Sequence, residues 1–144
     1  MAIVGFSFTK MTVERKNFVK GKVNIANNIS IKNVTETKLD LGKNKDTAVK
    51  MEFNFTSKYT PDIGEVNLFG ELVNIEDEKK TKEILAEWKK SKKLPTDIMT
   101  PILNHILTKC NIQSLILSKE INLPPPIPMP RINPKEGKES DYIG

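Results

Sequence analysis

Apolar and polar residues alternate along the first half of the chain, which is the pattern of β-strands with one buried face. Residues 6–9 alternate in this way, and the apolar parity then changes at Met11. Such a change predicts a β-bulge near Lys10, because one extra residue returns the apolar side chains to the same face. Residues 23–41 again carry apolar side chains mainly at odd positions. They predict one bent strand or an extended crossover that leads into a strand.

Two further strands complete the predicted sheet. Residues 49–59 carry Val, Met, Phe and Tyr side chains on one parity, and residues 66–72 continue the apolar face. Turn-forming residues at 42–46 and 60–64 separate these strands. Strands joined by short turns pair antiparallel. The pattern therefore predicts a four-stranded antiparallel sheet, a meander with a crossover.

The charge distribution predicts a first helix after the sheet. Residues 76–78 are acidic and residues 89–93 are rich in lysine. Acidic residues at the start and basic residues at the end of a helix favour its dipole. The apolar stripe of this helix, formed by Ile84, Leu85 and Trp88, is narrow. The helix is therefore expected to bury only one side.

A second, longer helix is predicted after Pro95. Thr96 or Asp97 can cap it, and Pro101 is tolerated in or near its first turn. Its helical pattern reaches Leu117 and contains more apolar residues than one packed face requires. Surplus apolar surface of this kind favours an oligomer interface or a binding groove. The predicted fold class is α+β, an antiparallel sheet packed with two C-terminal helices.

Length and composition predict one soluble domain. The chain has 144 residues, of which 38% are hydrophobic and 28% are charged. Residues 1–132 are expected to form a single domain, and residues 133–144 a disordered tail. No apolar stretch reaches the roughly 18–20 residues of a membrane span, and the first residues lack the features of a signal peptide. The single cysteine, Cys110, suits a reducing compartment, so a cytoplasmic location is expected.

The net charge of +5 raises the possibility of nucleic-acid binding. Only two of the 23 basic residues are arginines, although arginine is preferred for bidentate recognition of bases and phosphates. Acidic residues also lie among the lysines. A solvated lysine-rich surface is the favoured interpretation, and a small basic nucleic-acid-binding protein is an alternative.

No constellation of residues predicts an enzyme. The single histidine, His105, and Cys110 are five positions apart, which does not place them on one face of a helix. No set of cysteines and histidines has metal-ligand spacing, and the glycines form no phosphate-binding loop. The sequence therefore predicts no catalytic residues, no metal site and no cofactor.

The stretch "INLPPPIPMP", residues 121–130, has two interpretations. Proline can neither continue a helix nor donate to a sheet ladder. The segment could be a polyproline ligand for another domain, with Pro125 and Pro128 as its Pro-x-x-Pro motif and Arg131 as its cation. Alternatively, Leu123, Ile127 and Met129 could pack this segment onto the domain as an extended strap. The apolar side chains favour the strap.

Several motifs together resemble the SecB family of export chaperones. The sequence "VNLFG" (66–70) matches a strand that ends in a hydrophobic-x-hydrophobic-x-Gly pattern. The sequence "PTDIMTP" (95–101) matches the opening of a long helix between two prolines, and "INLPP" (121–125) matches an Asn-Leu-x-Pro exit from that helix. The basic charge departs from the acidic sheet surface on which members of the family dock the SecA motor. The chain is similar to a divergent member.

The resemblance implies a function as well as a fold. Members of the family are ATP-independent holdases, homotetramers that bind unfolded polypeptides in hydrophobic grooves and pass some of them to the translocation machinery. The implied partners are unfolded polypeptides and further copies of the chain. The alternative is a nucleic-acid-binding or proline-motif adaptor protein. The expected groove residues are Phe18, Val19, Trp88, Leu103, Ile106, Leu107, Leu123 and Ile127.

Overall fold

The computed structural model describes residues 2–41, 44–132 and 134, and it contains one four-stranded sheet and two helices. The strands are β1 (Ala2–Arg15), β2 (Asn24–Leu41), β3 (Asn44–Thr60) and β4 (Gly64–Ile75), and they pair antiparallel in the order β1-β4-β3-β2. The helices are α1 (Glu78–Ser91) and α2 (Thr96–Glu120). The predicted α+β class is confirmed. The predicted tail lies outside the described residues except for Pro134.

The order of the strands requires the predicted crossover. Strands β2, β3 and β4 are consecutive neighbours, whereas β1 lies at the far edge beside β4. The connection 16–23 must therefore pass from one edge of the sheet to the other. The turn predicted at 60–64 joins β3 to β4, with a cis peptide bond before Pro61. The turn predicted at 42–46 includes residues 42 and 43, which lie outside the described residues.

Irregular pairing occurs at three points in the sheet. The register of β1 against β4 shifts between Phe8 and Lys10, which confirms the bulge predicted near Lys10. Two further shifts lie between Ile3 and Gly5 and between Ile31 and Asn33. Neither shift was predicted from the sequence. At the second one the apolar side chains change from odd-numbered Ile31 to even-numbered Val34, the same kind of signal as the change at Met11.

One face of the sheet carries the core. Its buried side chains alternate along β3 and β4, and include Phe53, Phe55 and Leu68. Gly70 occupies a buried position of β4 between Leu68 and Leu72, where a side chain does not fit. A Cβ atom at this position would lie 2.5 Å from the carbonyl oxygen of Ser7 and 2.5 Å from the ring of Phe53.

The two helices begin differently. Asp77 caps α1, where its carboxylate accepts a hydrogen bond of 2.7 Å from the backbone N–H of Lys80. Helix α2 begins after Pro95 and has no side-chain cap, so the predicted capping by Thr96 or Asp97 is wrong. Asp97 instead forms an ion pair of 2.8 Å with Lys80 of α1. The hydrogen bond in this exposed pair raises the pKa of Lys80 and lowers that of Asp97.

The amphipathic pattern of α2 reverses half-way along the helix. A buried stripe with a spacing of four residues consists of large side chains in the first half and small ones in the second half. The members of this stripe are Ile98, Ile102, Ile106, Cys110, Ser114 and Ser118. The exposed side becomes more apolar towards the C-terminal end of the helix, since Thr108 is followed there by Ile112 and Ile116. The surplus apolar surface predicted for α2 therefore lies on its outer side near its C-terminal end. Within the described residues, neither helix is long and apolar enough to span a membrane.

Candidate functional site

The proline-rich segment after α2 packs on the sheet as a strap, which confirms the second of its two interpretations. The hydroxyl of Tyr59 donates a hydrogen bond of 2.6 Å to the carbonyl oxygen of Pro124. The side-chain amide of Asn27 donates one of 2.9 Å to the carbonyl oxygen of Pro126. Proline has no N–H to donate, so the strap is held through its carbonyl groups by side chains of β2 and β3.

Burial along the strap repeats every three residues. Leu123 and Pro126 are buried, whereas Pro125 and Pro128 are exposed. A repeat of three residues matches one edge of a polyproline II helix. Met129 does not follow the buried edge and is 49% exposed. The expectation that Met129 is buried is therefore wrong, because the strap no longer packs on the sheet at this position.

The first part of the crossover is tied to the turn between β3 and β4. The backbone N–H of Lys16 donates a hydrogen bond of 2.7 Å to the carbonyl oxygen of Ile63. The side-chain amide of Asn17 donates one of 2.7 Å to the carbonyl oxygen of Asp62. Immediately after these contacts, Phe18 is 73% exposed, and the guanidinium of Arg15 lies 5.0 Å from the centre of its ring.

An open groove lies between the crossover, the end of α2 and the strap. We call it the helix groove, and its volume is about 680 Å³. Aliphatic, thioether and proline side chains form most of its lining: Val19, Leu115, Leu123, Pro124, Pro125 and Met129. Ser118, Lys119 and Asn122 add polar groups. Such a groove can take up several apolar side chains of a polypeptide.

A second groove lies on the other side of the strap, against the start of β2. We call it the edge groove, and its volume is about 630 Å³. Val23, Ile25 and Ile127 contribute apolar side chains, and Asn27 and Arg131 contribute polar ones. Strand β2 is an edge strand, so every second residue directs backbone N–H and C=O groups away from the sheet. The edge groove therefore combines apolar side chains with a nearby strand edge.

The structure separates the eight expected groove residues into three sets. Val19 and Leu123 line the helix groove, and Ile127 lines the edge groove. Phe18 is exposed beside the grooves, and Leu103 and Leu107 lie on a flank of α2 that belongs to neither groove. Their part in binding stays a prediction.

Two of the expected groove residues, Trp88 and Ile106, lie in the core and line neither groove, which corrects their assignment to an open surface. Trp88 is 7% exposed, and Ile106 and Leu123 are buried with it in the same apolar core. Trp88 and Ile106 are directed towards the sheet by the buried stripes of α1 and α2. Leu123 lies at the closed end of the helix groove, where its backbone N–H donates a hydrogen bond of 2.9 Å to the carbonyl oxygen of Ser118.

Leu115 and Met129 line the helix groove but are missing from the expected set. Leu115 belongs to the apolar pattern of α2, and only the packing of the strap and the crossover distinguishes it from its neighbours. Met129 was interpreted as a buried strap residue. The sequence contains no signal that would have placed either residue in the groove.

Three titratable side chains, those of Cys110, His105 and Tyr59, pack in or beside the core. Cys110 is fully buried, and burial raises the pKa of its thiol to about 12. The ring of His105 packs edge-on against Phe6, with 5.6 Å between the ring centres. Burial raises the pKa of Tyr59 to about 12, and a hydrogen bond with Ser118 opposes this effect. Among the described residues, no cluster of three or more acidic, histidine or cysteine side chains could hold a metal ion.

Comparison with solved structures supports the fold on independent grounds. The chain is similar to Rv1957, a SecB-like chaperone of Mycobacterium tuberculosis that was solved in complex with a ChAD peptide from the HigA1 antitoxin Rv1956. The TM-score is 0.58 at 12% identity, and the match covers 92% of this chain and 90% of the other. No protein-family model matches the sequence, and neither does any curated protein sequence. The likeness shows a SecB-like fold.

Proposed function

We propose that the protein is a molecular chaperone of the holdase type, which binds non-native polypeptides without ATP. The observation that carries this proposal is the helix groove, an open apolar surface between three different segments of the chain. Binding by burial of apolar surface needs no fixed register, so one groove can accept many sequences. The solved neighbour with this fold carries a bound peptide, which supports the same use of the fold here.

The proposal extends to assembly and location. Ile112 and Ile116 are 54% and 46% exposed on the outer side of α2, and Val4 and Met11 of β1 are also exposed. Interfaces between subunits bury residues of this kind, so their exposure in one chain supports the proposed homotetramer. A cytoplasmic location is proposed with it. Transfer of bound polypeptides to a translocation machinery and the lack of an enzymatic activity belong to the same proposal.

A second candidate function is a proline-motif adaptor. The exposure of Pro125 and Pro128 on one edge of the strap favours it, because domains that read polyproline helices contact such an edge. Replacement of both prolines by alanine should abolish binding to an isolated SH3 or WW domain if this candidate is right. Failure of the unchanged chain to bind such domains would exclude it.

Aggregation of a chemically unfolded protein tests the chaperone proposal. Light scattering after dilution from denaturant should fall when the chain is present without nucleotide. The double variant Val19→Ser/Met129→Ser should protect less well, because both half-exposed side chains line the helix groove. The matched control is Ile132→Ser, which removes an exposed apolar side chain that lines neither groove. Undiminished aggregation in the presence of the unchanged chain would refute the proposal.

A further inference from the structure

Two of the segments that frame the grooves, the crossover and residues 121–132, carry basic residues and no carboxylates, whereas the end of α2 carries Lys119 beside Glu120. Residues 15–35 contain Arg15 and four lysines without a single Asp or Glu. Residues 121–132 contain Arg131, again without an acidic residue. Lysines also pair with carboxylates elsewhere, as Lys50 does with Glu71 on the neighbouring strand, and the second lysine-rich run, residues 89–93, lines neither groove.

The position of these cations follows from the lining of the grooves. Val19 lines the helix groove and Val23 lines the edge groove. Lys20 and Lys22 lie between these two residues, and both are exposed. Consecutive Cα atoms are about 3.8 Å apart, so both lysines are next to the grooves. Arg131 lines the edge groove directly.

Nearby carboxylates neutralise only part of this charge. Lys16 pairs with Asp62 at 3.7 Å, and Lys119 pairs with Glu120 at 3.5 Å. Within the described part of the chain, Lys20, Lys22 and Arg131 form no ion pair. Three positive charges beside the two grooves are therefore not neutralised by an ion pair. Their summed electrostatic field attracts negatively charged groups.

We propose that the grooves select polypeptide segments in which acidic residues flank an apolar stretch. This inference rests on the proposed chaperone function. The apolar side chains of the segment occupy the grooves, and its flanking carboxylates meet Lys20, Lys22 and Arg131. Exposed charges act mainly on the rate of encounter and on the choice between partners, and salt screens them. Segments with basic flanks are disfavoured by the same field.

Three synthetic peptides test this inference. They share one apolar stretch of six residues and differ only in their flanks, which carry four Asp, four Lys or four Ser residues. Fluorescence anisotropy at low ionic strength should give the acidic peptide an affinity about tenfold above that of the basic peptide. The difference should shrink at about 0.5 M salt, where screening is nearly complete.

A charge-reversal variant locates the effect. Lys20→Glu/Lys22→Glu/Arg131→Glu should invert the order of the acidic and basic peptides. The matched control Lys79→Glu/Lys93→Glu/Lys109→Glu makes the same change of charge at exposed lysines that line neither groove, and it should keep the order. Circular dichroism of both variants checks that they are folded.

The outcomes separate the inference from the function on which it rests. Binding of the serine peptide together with equal binding of the acidic and basic peptides would overturn the inference and leave the chaperone proposal intact. Tighter binding of the basic peptide, or loss of the preference in the control variant, would also overturn it. If none of the three peptides bound, the proposed function itself would fail.

Discussion

Tyr59 is a core residue of the sheet that also holds the strap in place. Its side chain is 1% exposed, and its hydroxyl reaches the carbonyl oxygen of Pro124. At the same scale, Cys110 is fully buried on α2, and removal of its thiol from water disfavours the thiolate. Burial favours the neutral form of both side chains, so the free energy of unfolding depends on pH in the alkaline range where they lose their protons.

The stability of the protein should fall as the pH rises above 9. The unfolded thiol has a pKa of 9.0, whereas that of folded Cys110 is raised to about 12. Above pH 9 the unfolded state releases a proton that the folded state keeps, which costs up to about 1.4 kcal/mol per pH unit until the folded pKa is reached. Urea midpoints between pH 8 and 10 should therefore decrease less for Cys110→Ala than for the unchanged chain. Parallel curves for the two proteins would contradict this explanation.

Trp88 and Phe18 should respond in opposite ways to truncation. Trp88 lies in the core, so Trp88→Ala should lower the free energy of unfolding by about 3–5 kcal/mol. Phe18 is mostly exposed, so Phe18→Ala should change it by less than about 0.5 kcal/mol. Denaturant melts measure both effects. If Phe18 contributes to binding, its variant should also show a weaker affinity for an unfolded, non-aggregating polypeptide.

At the scale of elements, the two halves of α2 pack on the sheet in different ways. The first half inserts Ile98, Ile102 and Ile106 into the core. The second half faces the sheet with Ser114 and Ser118, and the hydroxyl of Ser114 has no hydrogen-bond partner among the described residues. The helix therefore gains most of its packing energy from its first half.

Substitutions along the buried stripe should reveal this difference. Ile102→Ala leaves a cavity and should cost about 2–5 kcal/mol. Ser114→Ala removes an unsatisfied buried hydroxyl and should be neutral or stabilising by about 1 kcal/mol. Thermal or urea unfolding of the two variants provides the comparison. A large loss of stability in Ser114→Ala would contradict this explanation. It would show that the hydroxyl has a hydrogen-bond partner outside the described residues.

At the scale of the whole molecule, α2 and β1 expose apolar side chains, and the proposed assembly of several copies would bury them. Ile112 and Ile116 point away from the core of their own chain. Monomers rarely expose such residues in a continuous patch, whereas interfaces between subunits bury them. The grooves beside the strap do not include either residue, so the proposed assembly and the proposed polypeptide binding would use different surfaces.

Replacement of these two residues should dissociate the assembly. Multi-angle light scattering of the unchanged chain should give a mass four times the 16.3 kDa of one copy. The variant Ile112→Ser/Ile116→Ser should have a lower mass, while Thr108→Ser, an exposed change on the same helix, should not. A monomeric mass for the unchanged protein at micromolar concentration would refute the tetramer.

The sequence by itself determined the elements and their class. Alternation fixed which side chains of β3 and β4 face the core, since a strand has a period of two whatever lies beside it. The change of parity before Met11 located a bulge, and the prolines after α2 excluded both helix and central strand. In each case the signal is local, because it depends on neighbouring residues along the chain.

Only the tertiary structure decided which apolar residues are exposed. In the sequence, Trp88, Leu115 and Met129 are all apolar residues of segments that could form either core or groove. In the structure, Trp88 lies in the core, whereas Leu115 and Met129 line the helix groove. The groove exists because the crossover meets the end of α2 and the strap there, although the crossover is about a hundred residues from both in the chain. Such a meeting depends on the order of the strands and on the contacts of Tyr59 and Asn27. The pattern of neighbouring residues in the sequence predicts neither the strand order nor these contacts, because burial depends on how the whole chain folds.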